Sequence, residues 1–273
     1  MQKMPVEILA VPGRPRAGAA RSLAPREHGA YGQLATPLVA ALAMGRPNAP
    51  AILLAVAAVG AFLVHEPVLV ALGQRGTRAK REDGARAWRR ITVTGAVTAL
   101  AGGVGLWLAP AAARAAAAAP IALALALSPF MARGAEKTAA GELLAAAALA
   151  SASVPVAVAA GVSPAAAWSG WAAWCLVFGA STLAVRGVIA HARTPLPWTR
   201  RAAAPALATV VALVLMIAGV LSPITLIGVA PMLVIVLAIA VRPPSPRSLK
   251  RVGWALVGGS VALTAALAIG GHL

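Results

Sequence analysis

Nine apolar runs leave this chain almost no way to fold except as a bundle of membrane helices. They extend approximately from Ala30 to Met44, Ala49 to Leu72, Ile91 to Ala109, Ala115 to Ala132, Ala139 to Gly161, Ala167 to Ala190, Ala202 to Leu221, Ile224 to Val241 and Val252 to Gly271. A spanning helix needs about 20 such residues, and hydrocarbon forces each backbone N–H and C=O to find its partner within the segment. With 60% hydrophobic residues, 11% charged and a mean hydropathy of +0.83, too little polar surface is left to cover a soluble domain. The expected fold is therefore all-α, a polytopic bundle of about nine transmembrane helices making one domain over residues 29–273. Residues 1–28 read as a cytosolic basic arm: they hold Pro5, Pro12, Pro15, Pro25 and four arginines, with no continuous apolar stretch like the centre of a signal peptide. The first run is short and polar at its start (Tyr31, Gln33, Thr36), so it is expected to begin among the headgroups. Only Ser222 and Pro223 separate the seventh run from the eighth, which predicts a tight helical hairpin.

Threading these runs with the amino terminus inside places the bases on one side. Of the 24 lysines and arginines, only Arg46 and Arg114 fall outside, and Arg186 falls within the sixth span near its inner end. Positive residues in short loops stay cytosolic, so the amino terminus is expected inside and the carboxyl terminus outside a bacterial inner membrane. Trp107 and Trp168 fall near the outer interface, and Trp88, Trp198 and Trp254 near the inner one, as an aromatic belt requires. The net charge of +17 is thereby explained by topology and by contact with anionic lipid head groups. Lying in short loops between apolar runs, these bases do not form a nucleic-acid surface. Cys175 is the single cysteine, which excludes an intrachain disulfide and a CxxC metal site.

The seven acids, Glu7, Glu27, Glu66, Glu82, Asp83, Glu136 and Glu142, also lie on or near the cytosolic side, as do His28, His65 and His191. Ionisable groups that enter a membrane are costly and are generally placed toward a cavity or a partner. Glu142 lies three residues into the fifth span, about 4 to 5 Å deep at 1.5 Å per residue. Arg186 lies at similar depth in the sixth, so an ion pair between them is expected. In the second span Pro67 cannot donate its amide and is expected to kink the helix beside His65 and Glu66. Glu27 and His28 make a comparable dyad ahead of the first span. Adjacent His and Glu lack the i, i+3 or i+4 spacing of helical metal ligands, and no metal is assigned. The stretch from Gln74 to Arg90 carries seven bases and two acids. It reads as a solvated loop whose arginines also have the geometry to bind a phosphate or diphosphate. No nucleophile elbow, Walker sequence or HExxH occurs.

The strings Pro25-Arg26-Glu27-His28-Gly29-Ala30-Tyr31, His65-Glu66-Pro67 and Gly141-Glu142-Leu143-Leu144 resemble the YwiC-like family of bacterial membrane proteins, in that family's order. This resemblance implies an integral membrane protein and brings no activity with it. More distantly, nine helices with polar segments after spans two and six are similar to the UbiA-type intramembrane prenyltransferases. There the two segments carry aspartate-rich motifs that hold Mg²⁺ and a prenyl diphosphate at the cytosolic mouth of a lipid-open cavity. This chain departs from that pattern, because Asp83 is its single aspartate and the sixth span ends in Arg186 and His191. Two metal ions need several hard oxygen ligands, so the resemblance implies the cavity without the magnesium chemistry.

Three readings follow. The first is a UbiA-like cavity protein that binds an isoprenoid or other lipid-like ligand, with Arg26, Glu27, His28, His65, Glu66, Glu142, Arg186 and His191 at its cytosolic mouth. The second is a small-solute or ion transporter that uses the same cluster as a gate or relay, which predicts polar residues through the outer half as well. The third is an assembly partner of another membrane complex that docks through the basic loops.

Overall fold

The computed structural model describes residues 23–24, 28–245 and 248–272. Among them every regular element is a helix: α1 (His28–Met44), α2 (Ala49–Ala71), α3 (Thr77–Leu108), α4 (Ala111–Ala116), α5 (Ala118–Ala132), α6 (Ala139–Ser151), α7 (Ser153–Ala159), α8 (Pro164–Arg193), α9 (Trp198–Ile217), α10 (Pro223–Val241) and α11 (Leu249–Gly271). With α4–α5 and α6–α7 each taken as one span, 8 segments are long and apolar enough to cross a membrane. The ninth is α1, whose 17 residues fall short of the usual span, in keeping with its polar start.

Two spans are broken where the sequence showed continuous apolar runs. Pro120 and Pro155 each lie three residues beyond a break, at Ala117 and Ala152. Proline is tolerated in the first turn of a helix but cannot donate to the preceding turn, and each of these prolines lies in the first turn of the new helix. At the second break Ser151 and Ser153 donate to the carbonyls of Ala148 and Ala150, keeping their own hydroxyls satisfied. By contrast α2 continues through Pro67 to Ala71. The charged stretch expected as a loop is helical from Thr77 onward. Its bases extend α3 by about 20 Å ahead of the apolar part, at 1.5 Å per residue. Ala79, Asp83 and Ala87 form a buried stripe along this extension at helical spacing, and its arginines occupy the opposite faces. The expected hairpin between the seventh and eighth runs is present, with a turn of residues 218–222 between α9 and α10.

Packing divides into two apolar clusters. One unites α6, α8, α10 and α11 around Trp174, which stacks on Phe178 at 5.1 Å. The other joins α1, α2, α4 and α7, and every residue of α7 is buried. No residue of α5 is buried, so α5 lies on the outside. Hydrocarbon offers little apolar drive for helix association, so close approach through small residues matters more. Gly60 faces Thr98 across α2 and α3, and Gly228 faces Leu263 and Ala266 across α10 and α11.

The end of the bundle away from the basic loops is closed by backbone bonds. Arg46 N–H donates to the Ala160 carbonyl at 2.9 Å. Asn48 accepts from Ala51 N–H at 3.0 Å, capping α2, and its amide nitrogen donates to Ala159 O at 2.7 Å. Losing such a cap costs about 1 kcal/mol, so Asn48→Ala is expected to lower thermal stability in detergent by about that amount. An unchanged melting curve would mean that neither bond contributes.

Candidate functional site

Arg26 and Glu27 lie outside the described residues, as does the expected arm apart from Leu23 and Ala24. His28 is the first residue of α1. Leu23 is buried with Val70, Ala71 and Ala87 where α2 and α3 meet.

Among the described residues, Arg78–Glu82 and Arg86–Asp83 pair within α3 at the basic end, and two further ion pairs there join different elements. Glu66, 1% exposed, accepts from Arg75 through both oxygens: Nη2 at 2.7 Å to Oε2 and Nε at 3.0 Å to Oε1. The turn between α2 and α3 creates this contact. Gly73 N–H bonds Val70 O and Gln74 N–H bonds Leu69 O, the paired closure of a Schellman motif. That motif places Gly73 in the left-handed region, at φ +81°, where a side chain would be strained. The chain reverses within a few residues and Arg75 folds back over the last turn of α2. A carboxylate this buried is tolerable only with such a partner. The two-pronged guanidinium contact satisfies both of its oxygens.

The second pair is the one expected from equal depth: Arg186 Nη1 donates to Glu142 Oε2 at 2.9 Å and to the Lys137 carbonyl at 3.0 Å. Here too the connection follows from a turn. Gly134 N–H bonds Met131 O and Ala135 N–H bonds Phe130 O, with Gly134 at φ +63°. The chain then enters α6 through Thr138, which accepts from Gly141 N–H. Glu142 occupies the first turn of α6, where the helix dipole favours an anion.

The segment joining α5 and α6 stands beside the second pair. Its Lys137 carbonyl holds Arg186, while half-buried His65 lies within electrostatic range of Glu66, Arg75 and Glu136. At this end of the bundle Arg75, Glu66, His65, Glu136, Lys137, Arg186 and Glu142 thus make up a belt of polar groups around two separate ion pairs. His191 contributes differently. Its Nδ1 accepts from Leu196 N–H at 2.8 Å, fixing the turn from α8 to α9 and leaving Nε2 open. Among the described residues no three His, Cys, Asp or Glu side chains come together as a metal ion requires. Sequence reasoning missed Arg75 as a site residue, reading it as part of a loop. The signal available was the Leu72-Gly73 helix stop immediately before it.

The segment carrying most of this belt is also the part with known relatives. Residues 24–158 match the YwiC-like protein family. The YwiC-like segment takes in α1 to α6 and nearly all of α7, hence Glu66, Arg75, Glu136 and Glu142, while Arg186 and His191 lie beyond it. No curated protein and no solved structure matches the chain. Neither comparison supports the likeness to UbiA-type prenyltransferases expected from the sequence.

Proposed function

We propose that this YwiC-like membrane protein binds an isoprenoid or other lipid-like ligand whose polar head reaches the belt at the basic end of the bundle. The observation that carries the reading is Glu66, a buried carboxylate in a spanning helix, with a second ion pair, Glu142–Arg186, at the same end of the bundle. Intramembrane ionisable groups are costly, and a topology signal needs no carboxylate. The opposite end favours binding over transport. Among the described residues its titratable groups are Arg46, Arg114 and His272, whose ring is 3.0 Å from the Ala43 carbonyl, and no acid lies there.

Purification in mild detergent followed by native mass spectrometry tests this reading, with His65→Ala and Glu142→Gln as variants. Glu142 and Arg186 are 33% and 40% exposed, so solvent screening limits the cost of Glu142→Gln to at most about 1 kcal/mol of stability. A co-purifying lipid that is retained by the parent protein and lost from both variants, at nearly unchanged melting temperature, is the expected result. Recovery of no specific lipid, or equal retention by both variants, would reject it.

A further inference from the structure

A groove of about 820 Å³ lies between α10 and α11, outside both the polar belt and the YwiC-like segment. Its walls are Val234, Leu237, Val241, Val252 and Ala255, and Arg242 and Arg251 stand at one end. That end is where α10 stops and α11 starts, at the level of the basic loops. From Val234 to Arg242 the groove follows α10 for about 12 Å at 1.5 Å per residue. Val234, Leu237 and Val241 are all exposed, on spanning helices whose surroundings are acyl chains.

The charges here differ in kind from those of the polar belt. No acid occurs in the sequence after Glu142, so α8 to α11 carry bases alone. Arg75, Arg78, Arg86 and Arg186 each meet a carboxylate. No described carboxylate pairs with Arg201, Arg242 or Arg251. Arg201 reaches the same end of α10, with Nη1 3.5 Å from Val241 O and a buried Nε that has no acceptor. The first N–H groups of α11 have no side-chain cap, which adds partial positive charge beside Arg251. Positive-inside topology requires basic residues in this loop. It does not require them to converge on the mouth of an apolar groove.

We propose that this groove binds one anionic glycerophospholipid, with an acyl chain along α10 and the phosphate held by Arg242 and Arg251. Guanidinium groups bind phosphate with directed, charge-assisted hydrogen bonds.

The test uses the full chain in phosphatidylcholine vesicles that contain a trace of phosphatidylglycerol with a photoreactive acyl chain, with labelled peptides mapped by mass spectrometry. Label is expected on the walls of α10 and α11. Unlabelled phosphatidylglycerol should compete for it, and phosphatidylcholine or inorganic phosphate should not. Arg242→Gln/Arg251→Gln is expected to reduce the label roughly tenfold, Arg242→Lys/Arg251→Lys to keep most of it, and Arg89→Gln/Arg90→Gln to leave it unchanged. Equal labelling by a photoreactive phosphatidylcholine would overturn the proposal, as would undiminished labelling of the Gln double variant or displacement by inorganic phosphate. Because the polar belt is untouched in these variants, failure here leaves the function proposed above standing.

Discussion

Arg75→Ala destabilises the folded bundle by about 3 to 5 kcal/mol, the range for stranding one member of a buried ion pair. Glu66 is 1% exposed and accepts all three of its hydrogen bonds among the described residues from Arg75. Truncating the arginine leaves a carboxylate with neither water nor partner, and the chain must protonate it, admit water or open the α2–α3 turn. Glu66→Gln/Arg75→Gln removes both charges together and is expected to cost much less, because the penalty lies in the stranded charge rather than in the loss of attraction. Thermal or denaturant unfolding in one detergent, over the parent, Glu66→Gln, Arg75→Gln and the double variant, gives the coupling directly. Equal losses in Arg75→Ala and in the double variant would show that the pair does not act as a unit. Arg75→Lys keeps the charge but not the two-pronged contact and should fall between them.

Gly141→Val should have the second largest effect, and it acts on the belt through the backbone. A Cβ at this position would stand 2.6 Å from the Ala135 carbonyl oxygen and 2.9 Å from that of Glu136. Both are main-chain atoms, so no rotamer relieves the clash and the α5–α6 segment has to move. Overpacking of this kind costs about 1 to 3 kcal/mol. The Lys137 carbonyl then leaves Arg186, so ligand retention should fall further than stability alone would dictate. Gly103 is the internal comparison, since a Cβ there meets nothing within 4 Å. Gly103→Ala is expected to be neutral or to stabilise by up to about 1 kcal/mol through helix propensity. If the two substitutions behave alike in melting and in retention, the close approach at Gly141 does not hold the belt together.

The glycine of the Gly141-Glu142-Leu143-Leu144 string thus has a physical reason, which becomes visible only once Ala135 and Glu136 are seen beside it. Glu142 and Arg186 were legible as a pair because depth in a spanning helix follows from counting residues at a fixed rise, and two charges at one depth in successive helices have few other partners. Arg75 was not legible. Its contact with Glu66 depends on the chain reversing at Gly73, and a run of bases after an apolar span looks like a loop whether it is coiled or helical. The same ambiguity hid the early start of α3, where three small or buried residues, Ala79, Asp83 and Ala87, give the extension a packing face. Proline alone did not mark where the helices break. Pro67 sits inside an unbroken α2, whereas Pro120 and Pro155 each lie in the first turn of a new helix. A proline always removes one hydrogen bond, but its neighbours decide whether the helix absorbs the loss.

The sequence by itself determined that this chain is a membrane bundle, how many segments it has and on which end its charges gather. Hydrocarbon imposes those properties on each segment separately: length, apolarity and loop charge need no knowledge of neighbouring helices. Which charges touch, where spans break and which glycines carry close contacts were decided by tertiary structure. Those features depend on the relative rotation and offset of helices, which a nearly uniform surface of alanine, valine and leucine does not specify until the turns and small residues lock it in place.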